Sequence, residues 1–163
     1  MKREVSIRPY RDEDWPAVCA VHDAARPDEL AGSVDPRAFR AMANVAGEEL
    51  FFESETLVAC DGARVVGFVS FRESYITWLY VDPSAYRRGI GRALLQEAMR
   101  RCGPEAWVNT LAGNSAAIAL YVDEGFKIVK GIDSDCEGYP CVTLRLALPT
   151  SRMHGPQATA SRS

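Results

Sequence analysis

Glycines and arginines cluster between a predicted strand and a predicted helix in the middle of the chain. Residues 75–81 are rich in aromatic and β-branched side chains, which favours a strand, and the Asp-Pro-Ser sequence that follows is typical of a turn. A helix is predicted from Ile90, because apolar residues then recur at helical spacing until Gly103. The connecting segment consists of Arg87, Arg88, Gly89, Ile90, Gly91 and Arg92.

This segment has three properties of an anion-binding loop. Glycines let the backbone approach a ligand closely, the first N–H groups of a helix have no acceptor within the helix, and arginines add positive charge. Phosphate is the usual anion at such a place. A dinucleotide fingerprint would need glycine at Leu94 and a P-loop would need Gly-Lys-Ser/Thr, so neither fits. A tight turn that only packs helix on strand is the structural alternative.

A second segment, residues 114–126, predicts a helix with one polar face. Asn114 and Tyr121 are seven residues apart, which is about two helical turns or roughly 10 Å along the axis. Ala117 lies between them and leaves room for a thin ligand, and Gly125 occupies the C-terminal cap position. The structural alternative makes Asn114 a helix N-cap and Tyr121 a core tyrosine.

Together the two segments resemble the motifs of the GNAT N-acetyltransferase superfamily. Residues 86–91, Tyr-Arg-Arg-Gly-Ile-Gly, are similar to the family's Gln/Arg-x-x-Gly-x-Gly/Ala pyrophosphate loop, with Tyr86 in place of Gln or Arg. Residues 114–126 match the family's Asn-x-x-Ala-x-x-Leu-Tyr-x-x-x-Gly-Phe pattern at each specified position. The resemblance covers about residues 5–148 and is most specific from 75 to 126.

The resemblance implies an α/β (α+β) fold: a GNAT-like mixed central sheet of about six to seven strands with about four helices, in which two central parallel strands splay apart. The residue pattern itself predicts a first helix capped by Asp12 and ending near Pro27, a hairpin turning at Gly62, and a final strand pair. We expect a single domain over residues 1–149. Residues 150–163 are almost without apolar side chains and predict a disordered tail.

Individual residues acquire roles through the resemblance. The pyrophosphate of acetyl-CoA would be held by Arg87 to Arg92, and its pantetheine by Asn114 beside Ala117. The pantetheine and acetyl group would lie along Leu79, Tyr80 and Val81, with a backbone N–H near Val81 polarising the thioester carbonyl. Tyr121 would protonate the departing thiolate.

The acceptor amine also needs a general base or a water relay, because an alkyl ammonium has a pKa near 10. Tyr75 aligns with a glutamate base in the histone-modifying branch of the family. Glu73 lies two residues earlier and is predicted by strand periodicity to face the same side of the sheet, with a solvated strand end as its alternative. His22 is expected to be a packing or surface histidine. Acidic residues that would attract a cationic amine surround the last hairpin, with a merely solvated hairpin as the alternative: Asp133, Asp135 and Glu137.

Composition excludes several other classes of protein. The 163 residues carry a net charge of −3, which disfavours a general nucleic-acid binder. The sequence contains neither an apolar run of membrane-spanning length nor an apolar signal region after its first residues. Five scattered cysteines disfavour a disulfide framework or a zinc site, although Cys136 and Cys141 flank one turn and are potential neighbours. We therefore expect a cytoplasmic protein with reduced cysteines and no metal.

The function predicted from the resemblance is an N-acetyltransferase. It would move an acetyl group from acetyl-CoA to a primary amine of a small molecule, amino acid or peptide, by direct attack in a ternary complex. The alternative is a non-catalytic acyl-CoA-binding regulatory module on the same fold. The identity of the acceptor, the base, the use of other acyl groups and the presence of a homodimer stay open.

Overall fold

A single seven-stranded mixed sheet organises the computed structural model, which describes residues 4–149; the predicted tail of residues 150–163 lies outside the described residues. The strand order is β1-β2-β3-β4-β5-β7-β6. The strands are β1 (Val5–Pro9), β2 (Glu55–Asp61), β3 (Arg64–Arg72), β4 (Tyr75–Val81), β5 (Trp107–Leu111), β6 (Lys127–Cys136) and β7 (Tyr139–Ala147). Neighbouring strands are antiparallel, except for the parallel pair β4 and β5. The predicted fold class is confirmed.

In the described part of the chain, four α-helices accompany this sheet: α1 (Trp15–Leu30), α2 (Met42–Val45), α3 (Ile90–Cys102) and α4 (Ser115–Asp123). The apolar stripe of α3 packs on one face, where Leu94 and Leu95 are fully buried among β2, β3 and β4 side chains. On the other face, Val18 of α1 and Met42 of α2 pack against Phe68 of β3. Within residues 4–149, no helix combines the length and apolarity needed to cross a bilayer.

The first helix differs from its prediction at both ends. A 3-10 turn occupies Asp12–Asp14, and the carboxylate of Asp14, not that of Asp12, accepts a 2.8 Å hydrogen bond from the N–H of Arg11. At the other end α1 continues through Pro27 to Leu30, because a proline removes only one backbone donor and Leu30 gains complete burial. The extension brings Asp28 and Glu29 to the central cleft and buries Leu30 in a separate apolar cluster.

The cleft exists because β4 and β5 pair over only two residues and then separate. Their register is Tyr75↔Trp107 and Ile76↔Val108. Immediately afterwards Thr77 is an extra residue in β4, because Phe71 of β3 faces Ile76 while Ser70 faces Trp78. Such a β-bulge bends the strand that carries it. β5 meanwhile stays paired with β7 as far as Leu111, so the two strands splay as predicted.

Candidate active site

The glycine loop has a backbone conformation that directs amide groups towards a ligand position. Gly89 precedes α3 with φ of 77°, in the left-handed region that favours glycine, and Arg87 has φ of 66°. α3 then begins at Ile90, so the N–H groups of its first turn have no acceptor within the helix. Together with the positive end of the helix dipole, this arrangement suits a phosphate group.

A cavity of about 580 Å³, here called the donor-side cavity, lies beside this loop. Its walls come from the second half of β4, the loop before α3, the end of α1 and the inner face of α4. The predicted cofactor residues that border it are Leu79, Tyr80, Val81, Arg87, Gly89, Ile90, Gly91, Arg92, Asn114 and Ala117. The structure thus brings ten of the eleven predicted cofactor residues to one cavity.

Arg88 is the exception. Its guanidinium pairs with Asp61 of β2 at 3.0 Å and borders a separate recess on the other side of the loop. The guanidinium of Arg88 therefore lies outside the donor-side cavity, unlike its predicted position among the pyrophosphate ligands. Arg92 does reach the donor-side cavity, but it also pairs with Asp123 at 3.3 Å and Glu124 at 2.5 Å at the end of α4.

Asn114 and Tyr121 lie on the cavity face of α4. Asn114 is the N-cap of this helix, since its side-chain oxygen accepts from the N–H of Ala117 at 3.3 Å. Its amide NH₂ remains as a donor on the side of the cavity. Tyr121 is buried with its ring edge against Phe126, at 5.6 Å between centroids, and it borders the cavity as well. Both residues therefore have a structural role and also line the cleft.

Burial keeps the Tyr121 phenol protonated. Loss of solvation raises the pKa of Tyr121 well above its ordinary value, with smaller contributions from Glu29 and Tyr75. No hydrogen bond to its hydroxyl is found within residues 4–149, and the hydroxyl is not among the fully enclosed polar atoms of that part of the chain. The O–H is therefore available to a ligand in the cleft.

A second cavity of about 240 Å³, here called the acceptor-side cavity, lies in the gap between β4 and β5. Residues outside the donor-side cavity border it, including Glu49, Tyr75, Asn109 and Cys136. Six residues line both cavities: Glu29, Leu79, Tyr80, Asn114, Ala117 and Tyr121. The two cavities therefore adjoin along these six residues, Tyr121 among them, and form the two parts of one cleft.

The two residues predicted as general bases lie in different surroundings. Tyr75 lines the acceptor-side cavity, where its ring stacks on Trp107 at 4.0 Å between centroids and 7° between planes. Burial raises the pKa of Tyr75, so its phenolate is scarce at neutral pH. Glu73 is exposed in the turn before β4 with φ of 54°. Because Glu73 precedes the strand, the period-two alternation on which its prediction rests does not apply to it, and Glu73 is not among the residues that border the acceptor-side cavity.

Carboxylates that the sequence analysis missed approach the cleft from the α1–β2 side. Glu29 accepts a 2.7 Å hydrogen bond from the Tyr80 hydroxyl and forms an ion pair with Arg26. Glu49 lines the acceptor-side cavity; desolvation of its carboxylate raises the pKa of Glu49, although the residue as a whole is exposed. Neither glutamate belongs to a recognisable motif, so only the tertiary structure could identify them.

His22 and the acidic hairpin meet in a recess of about 100 Å³ beside the acceptor-side cavity. His22 is buried, with Nδ1 2.9 Å from the Asp23 carboxylate and its ring edge-on to Tyr80. Burial lowers the pKa of His22, so the ring is neutral and serves packing. Asp135 and Glu137 border the same recess, whereas Asp133 does not.

Comparisons with known proteins agree with this geometry. A family model described as an acetyltransferase (GNAT) domain matches residues 52–128. The N-acetyltransferase YafP of Escherichia coli K12, itself uncharacterised, is 30% identical over 137 residues, which are 82% of this chain and 89% of YafP. The chain belongs to the GNAT acetyltransferase family. The GNAT resemblance of the two motifs is therefore confirmed.

Two further GNAT proteins extend the comparison. Peptidyl-lysine N-acetyltransferase YjaB of Salmonella typhimurium is 26% identical over 146 residues, covering 89% of this chain and 99% of YjaB. The structure of YncA from Salmonella typhimurium with its cofactor acetyl-CoA has a TM-score of 0.66 at 21% identity, over 89% of this chain and 93% of YncA. The family model and the sequence relatives identify the chain as an acyltransferase of the GNAT family, and the likeness to YncA shows the fold. Within residues 4–149 no cluster of ligating side chains could hold a metal ion.

Proposed function

We propose that this GNAT protein binds acetyl-CoA in the donor-side cavity and transfers the acetyl group to a primary amine in the acceptor-side cavity, by direct attack in a ternary complex. The observation that carries the proposal is that the two cavities share Tyr121 and five other residues. Two substrates that enter from the two ends can therefore meet without a covalent enzyme intermediate. Bringing them together in the correct orientation supplies a large part of the catalysis.

Donor binding follows from the residues of the donor-side cavity. The amide groups from Gly89 to Arg92 would hold the pyrophosphate, and Arg87 would add charge at the mouth of the cavity. The amide of Asn114 would donate to a pantetheine carbonyl, and the small side chain of Ala117 would leave room for the arm. The backbone of residues 79–81 has no β5 partner and is available to pair with the pantetheine.

The transfer itself requires two proton movements. The amine nitrogen attacks the thioester carbonyl carbon, a C–N bond forms, and the C–S bond breaks. Tyr121 donates its phenolic proton to the departing sulfur, and a backbone N–H near Val81 stabilises the developing oxyanion. The attacking nitrogen loses a proton to a base, which has to stand on the acceptor side of the cleft.

Glu49 is the best candidate for that base. The other acidic side chain that lines the acceptor-side cavity, Glu29, is already paired with Arg26 and bonded to Tyr80, and the raised pKa of Tyr75 makes its phenolate rare. A raised pKa brings the Glu49 carboxylate closer to the basicity that proton abstraction needs. Its exposure at the rim gives the proton a route to solvent.

We propose the side-chain amine of a lysine in a peptide as the acceptor class. Carboxylates border the acceptor end and its recess. Glu29 and Glu137 are paired with arginines there, whereas Glu49 and Asp135 would attract an ammonium group. The full-length match to YjaB, which is named a peptidyl-lysine N-acetyltransferase, supports the same class. A long, flexible lysine side chain would also reach the narrow gap between β4 and β5.

Thiol release from acetyl-CoA tests the proposal. The purified protein is supplied with acetyl-CoA and with one of three acceptors. The first is a lysine-containing peptide with a blocked N-terminus, the second is the same peptide with arginine in place of lysine and a free N-terminus, and the third is a set of free amino acids. We expect release of thiol with the lysine peptide and an added acetyl mass on its side chain. Calorimetry that detects acetyl-CoA binding while no amine releases thiol would instead indicate the acyl-CoA-binding module. Absence of any acetyl-CoA binding would refute both.

A further inference from the structure

Two cysteines touch at the end of the last hairpin. Cys136 is the last residue of β6 and Cys141 lies in β7, and only Glu137 and Gly138 separate the two strands. Their sulfur atoms are 2.7 Å apart, although both residues are free thiols. They are diagonal neighbours on one face of the hairpin, since the register is Ser134↔Cys141, Asp135↔Pro140 and Cys136↔Tyr139.

The turn between them is held in place by further contacts. The Asp135 carboxylate accepts a 2.6 Å hydrogen bond from the N–H of Gly138. Glu137 pairs with Arg40 at 3.2 Å, and Arg40 also donates to the backbone oxygen of Asn44 in α2. Because backbone and side chains already fix the hairpin, the two sulfurs need only a small approach to form a bond.

One of the two sulfurs is accessible and the other is enclosed. Cys141 is buried, in a cluster with Leu30, Ala38 and Leu111. Cys136 is only half-buried, and it lines both the acceptor-side cavity and the recess beside it. An oxidant that enters the cleft therefore meets Cys136, and Cys141 stands directly behind it.

We propose that Cys136 and Cys141 are a thiol-oxidation site that forms a reversible disulfide and thereby alters the acceptor side of the cleft. With hydrogen peroxide as oxidant, one sulfur attacks a peroxide oxygen and becomes a sulfenic acid while one water leaves. The second sulfur attacks the first, the disulfide forms, and a second water leaves. Two thiols are oxidised and one peroxide is reduced, and a small-molecule thiol reverses the reaction by exchange.

Oxidation of this pair would affect the acceptor side of the cleft and not the donor side. Cys136 borders the acceptor-side cavity but neither cysteine borders the donor-side cavity. Oxidation removes a thiol from the acceptor wall and draws the Cys136 sulfur towards Cys141, which changes the surface next to Asp135 and Glu137. Burial, followed by the contact with Cys141, raises the pKa of Cys136 to about 12, so the reaction is slow at neutral pH and faster in mildly alkaline solution.

Mass spectrometry of the full-length protein tests the chemistry without any activity assay. After hydrogen peroxide treatment at mildly alkaline pH we expect a mass loss of about 2 Da from the disulfide, a linked peptide that joins Cys136 to Cys141, and complete reversal by dithiothreitol. Cys136→Ser and Cys141→Ser should each abolish the loss, whereas Cys19→Ser, at a half-buried thiol on α1, should retain it. Five free thiols after treatment, or a different linked pair, would overturn the proposal.

The effect on transfer rests on the proposed function and has its own readout. With the blocked lysine peptide as probe, we expect the KM for peptide to change by about threefold or more on oxidation, while the acetyl-CoA dissociation constant stays within about twofold. Dithiothreitol should restore the KM, and Cys136→Ser should be insensitive to peroxide. A disulfide that forms without a change in KM would overturn the effect on acceptor binding. A peptide that is never acetylated would refute the proposed function and leave the mass result standing.

Discussion

Tyr121→Phe separates the proposed acid catalyst from a tyrosine that merely packs. The substitution removes one hydroxyl and keeps the ring edge against Phe126. That hydroxyl has no hydrogen-bond partner among the described residues and is not fully enclosed, so its loss strands no buried group. We therefore expect the free energy of unfolding to change by less than about 0.5 kcal/mol, which corresponds to a shift in Tm of only a few degrees.

Turnover should respond far more strongly. Loss of an acid catalyst costs roughly 10²-fold in kcat, or about 2.7 kcal/mol of activation free energy. Burial raises the pKa of Tyr121, but it raises the pKa of a thiol in the same dry cleft too, so the proton transfer stays feasible. Because the raised pKa lies above the accessible range, the protonated form of Tyr121 persists and the wild-type kcat should not decline through its titration up to about pH 9.

The assay is thiol release with saturating acetyl-CoA and lysine peptide, together with calorimetry for acetyl-CoA and a thermal melt. Tyr75→Phe is the matched control, since it also removes a hydroxyl from the acceptor-side cavity but leaves the stacking on Trp107. We expect it to keep kcat within about fivefold of wild type, in contrast to loss of an acid catalyst. Full turnover in Tyr121→Phe would refute the reasoning and leave water as the proton source. A lowered Tm with intact turnover would identify Tyr121 as a packing residue.

Three further perturbations follow from the cleft. Arg87→Ala should weaken acetyl-CoA binding and reduce the dependence of its affinity on salt concentration. Arg88→Ala should do neither, because the partner of Arg88 is Asp61 on β2. If calorimetry at two ionic strengths gave both variants the same loss of affinity, this difference would be contradicted. Glu49→Gln should lower kcat by about 10²-fold, and its activity should no longer fall as the pH drops through the raised pKa of Glu49. Glu48→Gln, at an exposed neighbour, is the control and should keep the wild-type pH profile. The same pH profile of activity in both variants would exclude Glu49 as the base. Gly91→Leu should fill the mouth of the donor-side cavity and reduce acetyl-CoA affinity at least about tenfold, while Tm changes little. Unchanged affinity would show that the loop does not hold the ligand.

The sequence predicts best where a local pattern has a local cause. The helix from Asn114 and its Gly125 cap follow from capping chemistry and spacing, and the structure has both. The glycine loop likewise depends on one left-handed residue, Gly89, next to a helix start. Arg88 shows the limit of this approach: its position in the motif is right, but its partner Asp61 is distant in sequence, so the direction of its side chain could not be predicted.

The bulge at Thr77 explains why β4 leaves β5 and the cleft opens between them. Regular alternation would place Ile76 and Trp78 on the same face of the sheet, yet Ile76 lies in the core under α3 and Trp78 in the core under α1. The extra residue reverses the alternation at the point where β4 leaves β5, and it directs Leu79 and Val81 towards the α3 side. An unpaired residue in a strand leaves little trace in hydropathy, because Thr77 itself is a good strand former. A period-two argument carried across Thr77 therefore assigns the wrong face. Glu73 escapes the same argument for a separate reason, because it lies in the turn before β4 and not in the strand. Glu49, which borders the acceptor-side cavity from the loop before β2, lies outside any strand pattern and could only be found from the tertiary structure.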